Sequence, residues 1–199
     1  GTMARLDCLM QFAQKHRLKI GTIRDLIAYR RRNDHLIERR SEASFTSRWG
    51  GEWRAISFYN KATGTEQVAL QKGHISPDTP TLVRMHQVSL FADIFGEEGP
   101  RAHLLDRSME IIAEAGEGIV VCLNRPEPDR FSRILEQHAG RAPANSRVID
   151  ELRDYGVGAQ ILAELGVHDM IVLTNRRHNL IALDGYDLAV VEEREITFE

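Results

Sequence analysis

Residues 153–175, RDYGVGAQILAELGVHDMIVLTN, constrain the fold more than any other stretch of this chain. A charged opening leads through Gly156 and Gly158 into an apolar run at helical spacing. That run hands over to a short branched-aliphatic strand ending in Thr174 and Asn175. A helix feeding directly into a strand is the unit from which α/β sheets are built. Gly156 reads as the C-cap of the helix before it, SRVIDELRDYG.

The remaining segments predict the same class. ARLDCLMQFAQK places Leu6, Leu9, Met10 and Ala13 at helical spacing. In LKIGTIRDLIAYRRR, Thr22 and Asp25 form a capping box, with Ile23, Leu26 and Ile27 expected to face inward. RRRNDHLIERRSEAS is charged and poor in bulky apolar residues, so it reads as a connection, its arginines a solvated face rather than a phosphate site. EWRAISFYN and EQVALQKG are strands of a hairpin around NKATGT, and TLVRMHQV is a third strand. Leu104, Leu105, Ser108, Met109, Ile112 and Ala115 share one helical face. GEGIVVCL is a buried strand, DRFSRILEQHAG a helix, and NLIALDGYDLAVVEEREI a helical turn followed by a last strand. Strands dominate early and βα alternation follows. The expected class is therefore α/β, with mixed β-sheets and flanking helices.

Composition narrows the function. The 199 residues suit one domain with an appendage, and 42% hydrophobic against 28% charged residues allows a real core. A net charge of −3 gives no electrostatic reason to expect nucleic acid or an anionic membrane as partner. The apolar runs are too short to span a bilayer and no signal peptide is visible, so a cytoplasmic location is expected. Cys8 and Cys122 lie far apart in apolar settings and read as reduced core residues.

Most catalytic signatures are missing. Gly156-Val157-Gly158 has Ile161 where a dinucleotide loop needs a third small residue, and it follows a helix instead of a strand. No P-loop, nucleophile elbow or His-Glu-x-x-His pair occurs. His86 and His103, with Asp93 and Glu97 nearby, come closest to a metal cluster, but scattered surface histidines explain them better.

Four blocks carry a resemblance: ALQKGHIS with the following TPTLVRMH, then FADIFG, ELRDYGVGAQILAELGV and IVLTN. Through them the chain from about residue 48 resembles GTP cyclohydrolase II, which opens the imidazole ring of GTP in riboflavin biosynthesis. Residues 1–33 look like the tail of a 3,4-dihydroxy-2-butanone 4-phosphate synthase, an enzyme commonly fused upstream of it. The layout implied is a synthase tail at 1–33, a charged linker at 34–47 and a cyclohydrolase-like domain at 48–199. The chain would be the C-terminal part of such a fusion, and the resemblance implies a homodimer.

The resemblance also implies a chemistry, and there the chain departs from it. Active relatives hold zinc through three cysteine thiolates, whose positions fall at Ser89 and near Gly99 and Arg101. None of these residues can supply a thiolate, so no zinc cofactor is expected. The family's catalytic Asp and Arg align with Glu151 and Arg153, leaving a vestigial pair with the carboxylate displaced. Arg84, His86 and Thr174 are the candidate substrate contacts, with packing an equal explanation for Arg84 and His86. The nucleotide loop is NRPEPDRF, stiffened by two prolines, and a phosphate-binding lysine is replaced by Asn179, which Arg176, Arg177 or His178 compensate only in part. Three roles follow as expectations. The first is an inactive domain that supports or regulates the fused synthase and retains GTP or a related nucleotide. The second is an active cyclohydrolase with a rearranged site around Glu151, Arg153 and His86 or His103. The third is a nucleotide or flavin-precursor sensor.

Overall fold

Alternation of apolar and polar residues dictates the centre of the molecule. The computed structural model describes residues 3–23, 25, 26, 29, 36–124, 129–141, 147–175 and 186–198. Its strands are β1 (Ile37–Ser47), β2 (Gly51–Asn60), β3 (Thr65–Lys72), β4 (Thr81–Gln87), β5 (Gly118–Leu123), β6 (Asp169–Leu173) and β7 (Ala189–Arg194). Among the described residues the helices are α1 (Leu6–His16), α2 (Leu104–Ala115), α3 (Arg130–His138) and α4 (Arg147–Glu164). A single π-helical turn, Leu90–Ile94, follows β4.

The strands form one mixed sheet in the order β1-β2-β3-β5-β4-β6-β7. β1, β2, β3 and β5 pair antiparallel, and β5, β4, β6 and β7 pair parallel. The parallel half needs crossovers, and α2 provides the one between β4 and β5. In β5 the side chains of Ile119, Val121 and Leu123 enter one core with Ala159, Ile161 and Leu162 of α4. Val120 and Cys122 point the other way, toward Met109 and Ile112 of α2. This period-two split lets a six-residue strand serve two cores at once. The mixed α/β class, the β2–β3 hairpin and the α2 face through Ser108, Met109 and Ile112 stand as expected.

Four local expectations differ. Within the segment read as a linker, residues 37–47 form the edge strand β1. Backbone pairing to β2 needs no buried side chains, and charges on an edge strand discourage further pairing, so low hydrophobicity did not mean irregular chain. Gly156 does not cap a helix: α4 runs unbroken through it to Glu164. The Thr22–Asp25 capping box forms, with the Asp25 N–H donating to Thr22 Oγ1 at 3.0 Å, but Ile23 and Leu26 are 79% and 58% exposed. Ile27 lies outside the described residues. Cys8, expected in a core, is exposed on α1, where only Ala13 is buried.

Candidate functional site

The candidate site forms where β4 leaves the sheet, because the strand ends in a polar residue pair that the following turn must satisfy. His86 lies beside Cys122 across the β4–β5 register, on the α2 side of the sheet. Its Nε2 bonds Asp93 Oδ2 at 2.8 Å, with side chains only 1% and 6% exposed. The same carboxylate oxygen accepts the Ser89 N–H at 2.6 Å, while Ser89 Oγ accepts the Ala92 N–H at 3.3 Å. Ser89 and Asp93 thus cap the π turn reciprocally, in the manner of a capping box.

Burial alone would raise the Asp93 pKa. The hydrogen bond and charge of His86, the Ser89 N–H and the Arg101 charge more than offset this, so the carboxyl sits below its ordinary value. An ionised Asp93 can only accept, so the His86 Nε2 carries the shared hydrogen. The Nδ1 of His86 is buried with no hydrogen-bond partner among the described residues. Two arginines hold the chain just before the turn: Arg101 Nη2 donates to the Gln87 carbonyl at 2.6 Å, and Arg130 Nη2 to the Val88 carbonyl at 3.1 Å.

This arrangement does not fit zinc. Ser89 Oγ is committed as a cap acceptor, and Arg101, near where the resemblance expects a ligand, is a cation that only donates. Gly99 has a φ of 151°, which L side chains rarely adopt, so even a cysteine there would be strained. Cys122 does not substitute: burial and the nearby Asp93 charge push its thiol up to about 12, far from the thiolate a metal needs. Among the described residues no three His, Cys, Asp or Glu side chains converge. His86 turns to Asp93, the exposed His103 to Asp106 at 2.8 Å, and Glu97 to His138 at 3.4 Å. His86 is thus a buried histidine and not the surface residue the sequence suggested.

The other expected site residues are spread around this core. Arg84 donates Nη1 to the Leu173 carbonyl at 2.9 Å, tying β4 to the end of β6. Thr174 is buried just beyond β6, its N–H donating to the Arg194 carbonyl at 2.9 Å. Glu151 and Arg153 lie in α4; the placement of their side chains is outside what the structure describes. Arg176, Arg177, His178 and Asn179, and the two prolines of NRPEPDRF, also lie outside the described residues.

Sequence reasoning missed three positioning residues. Arg130 reaches the exit of β4 from the start of α3. Gln67 exchanges two bonds with the Asn124 backbone at the end of β5, and Asn175 does the same with Ile196 beyond β7. For Gln67 and Asn175 a polar residue interrupting or ending a buried strand was the available signal, and it does not name the partner.

Comparison with known proteins gives a consistent answer. Residues 38–195 match the family described as GTP cyclohydrolase II. The chain is 39% identical over its whole length to the riboflavin biosynthesis protein RibBA of Aquifex aeolicus, covering 52% of that protein. It is 37% identical over 96% of its length to RibBA of Phocaeicola vulgatus, covering 50%. Among solved structures it is similar to RibBX of A. baumannii, described as a two-domain 3,4-dihydroxy-2-butanone 4-phosphate synthase. The TM-score is 0.54 at 27% identity, over all of this chain and 51% of that one. The chain spans about half the length of these relatives.

Proposed function

This chain belongs to the GTP cyclohydrolase II family, and on that premise we propose that it is a riboflavin-pathway domain that keeps the cyclohydrolase fold without its ring-opening chemistry. Its role is to support or regulate a 3,4-dihydroxy-2-butanone 4-phosphate synthase domain on the same polypeptide. One observation carries the reading. Where the resemblance places one thiolate a capping serine stands, and near the other two expected places the chain has a glycine at φ 151° and a carbonyl-binding arginine, with no cysteine.

The relatives are named as riboflavin biosynthesis proteins about twice as long, and the similar RibBX chain is described as a two-domain synthase, half of which shares this fold. Residues 1–33 serve as the tail of the synthase domain. Supporting this, Leu6, Phe12, Leu18, Ile23, Leu26 and Tyr29 are all exposed, as expected of a segment whose core lies elsewhere. The family match begins at residue 38, within the segment 34–47, so β1 goes with the cyclohydrolase-like domain. The domain pairs with a second copy and retains a nucleotide, with Arg84, His86 and Thr174 as its candidate contacts and Glu151 and Arg153 as vestiges of catalysis.

The test compares the full-length fusion with a version ending before β1, reading synthase rate, thermal stability and oligomeric state. A change in at least one is expected. Identical values in all three would remove the supporting role.

A further inference from the structure

Among the described helices, α3 alone buries no residue. Phe131 and Leu135, one turn apart on it, are 63% and 56% exposed. Its nine residues are too few to stay helical by themselves, since isolated helices shorter than about 12–15 residues are marginal in water. The helix therefore depends on what holds its two ends. At the first, Arg130 spans two strand exits: Nη1 donates to Asn124 Oδ1 at 2.5 Å and Nη2 to the Val88 carbonyl at 3.1 Å. At the last, the His138 ring lies 3.8 Å from the Phe91 ring, centroid to centroid, and its Nδ1 lies 3.4 Å from Glu97 Oε1. Phe91 in turn meets Phe95 edge-on.

These contacts all fall at one end of the sheet. Val88 follows β4 and Asn124 follows β5, two parallel neighbours, and Phe91 belongs to the π turn between β4 and α2. The carboxyl ends of parallel strands are where open α/β sheets take ligands. We infer that α3 is a strap across the carboxyl ends of β4 and β5, fastened by Arg130 and His138, that opens as one unit and loosens the π turn carrying Asp93 when it does. Contacts between partly exposed groups are individually weak, so the closed strap opens far more often than the core beneath it. Release at one end leaves nine residues with no buried anchor, and the whole helix goes with it. The device needs neither metal nor nucleotide to work.

Hydrogen exchange on the whole chain tests this directly. The Arg133 amide, bonded to the Asp129 carbonyl, reports the first end of α3. The Ala139 and Arg141 amides, bonded to Leu135 and Glu136, report the last. Arg130→Met and His138→Ala are each expected to speed all three by about threefold or more, alike at both ends. Methionine matches arginine in helix propensity and alanine exceeds histidine, so intrinsic propensity does not produce the change. In His138→Ala the Phe95 and Glu97 amides, which close the π turn onto Leu90 and Phe91, speed up as well. The β5 amides stay as they were.

Acceleration confined to the substituted end is fraying, and it would overturn the strap. Unchanged exchange across α3 in both variants would do the same. Turn amides indifferent to His138→Ala would overturn the link to the turn that carries Asp93. Equal acceleration of the β5 amides would mean a general loss of stability and would overturn the local device.

Discussion

Asp93 shows how one side chain converts burial into pH dependence. Its folded pKa is depressed, so the stability it contributes is fully present above the unfolded value near 3.8 and is lost as pH falls through the lower folded value. Asp93→Asn should therefore lower stability at pH 7 by about 1–3 kcal/mol, the usual cost of breaking a charged hydrogen bond. It should also flatten the loss of stability below pH 4, and urea unfolding at pH 7 and pH 3 would show both. Cys122 gives a second residue-scale test. With its thiol pushed up to about 12 and Cys8 exposed, the native chain should titrate one of its two cysteines at pH 8, and both after unfolding. Two cysteines reacting at equal rates in the folded protein would contradict the packing described around β5.

At the scale of elements, α4 separates what sequence pattern can and cannot reveal. The apolar spacing of Ile161 and Leu162 identified the helix and its buried face, because hydrophobic periodicity is a local property. The glycines misled, since a capping glycine and a packing glycine look alike until the neighbour is known. Gly158 lies where an added Cβ would come within 2.6 Å of Met85 Sδ, so it brings α4 close to β4. The nearest atom to an added Cβ at Gly156 is the Tyr186 hydroxyl, at an ordinary 3.8 Å. Gly156→Ala should thus stabilise by about 0.5–1 kcal/mol through helix propensity. Gly158→Val should destabilise by about 1–3 kcal/mol through overpacking. Equilibrium denaturation of the two variants checks the pair, and the same sign for both would contradict this packing. β1 failed for the opposite reason: its order comes from backbone pairing with β2, which leaves almost no trace in the hydrophobicity of RRSEASF.

At the scale of the whole molecule, the class and most of the sheet were legible because alternation and helical periodicity are written along the chain. Strand order was not, since β5 inserting between β3 and β4 depends on contacts distant in sequence. The site was legible mainly through what stands where thiolates are expected: Ser89, Gly99 and Arg101 are visible as letters. That Arg101 binds the Gln87 carbonyl, or that Asp93 takes both the His86 ring and the Ser89 N–H, emerges only from the folded turn. The proposal that this fold persists without the metal chemistry of its family has a direct test. The most direct measurement incubates the purified chain with GTP, magnesium and added zinc, following formate release and bound zinc together. No formate above the no-protein control and no stoichiometric zinc are expected; steady formate release with zinc bound one to one would contradict the proposal.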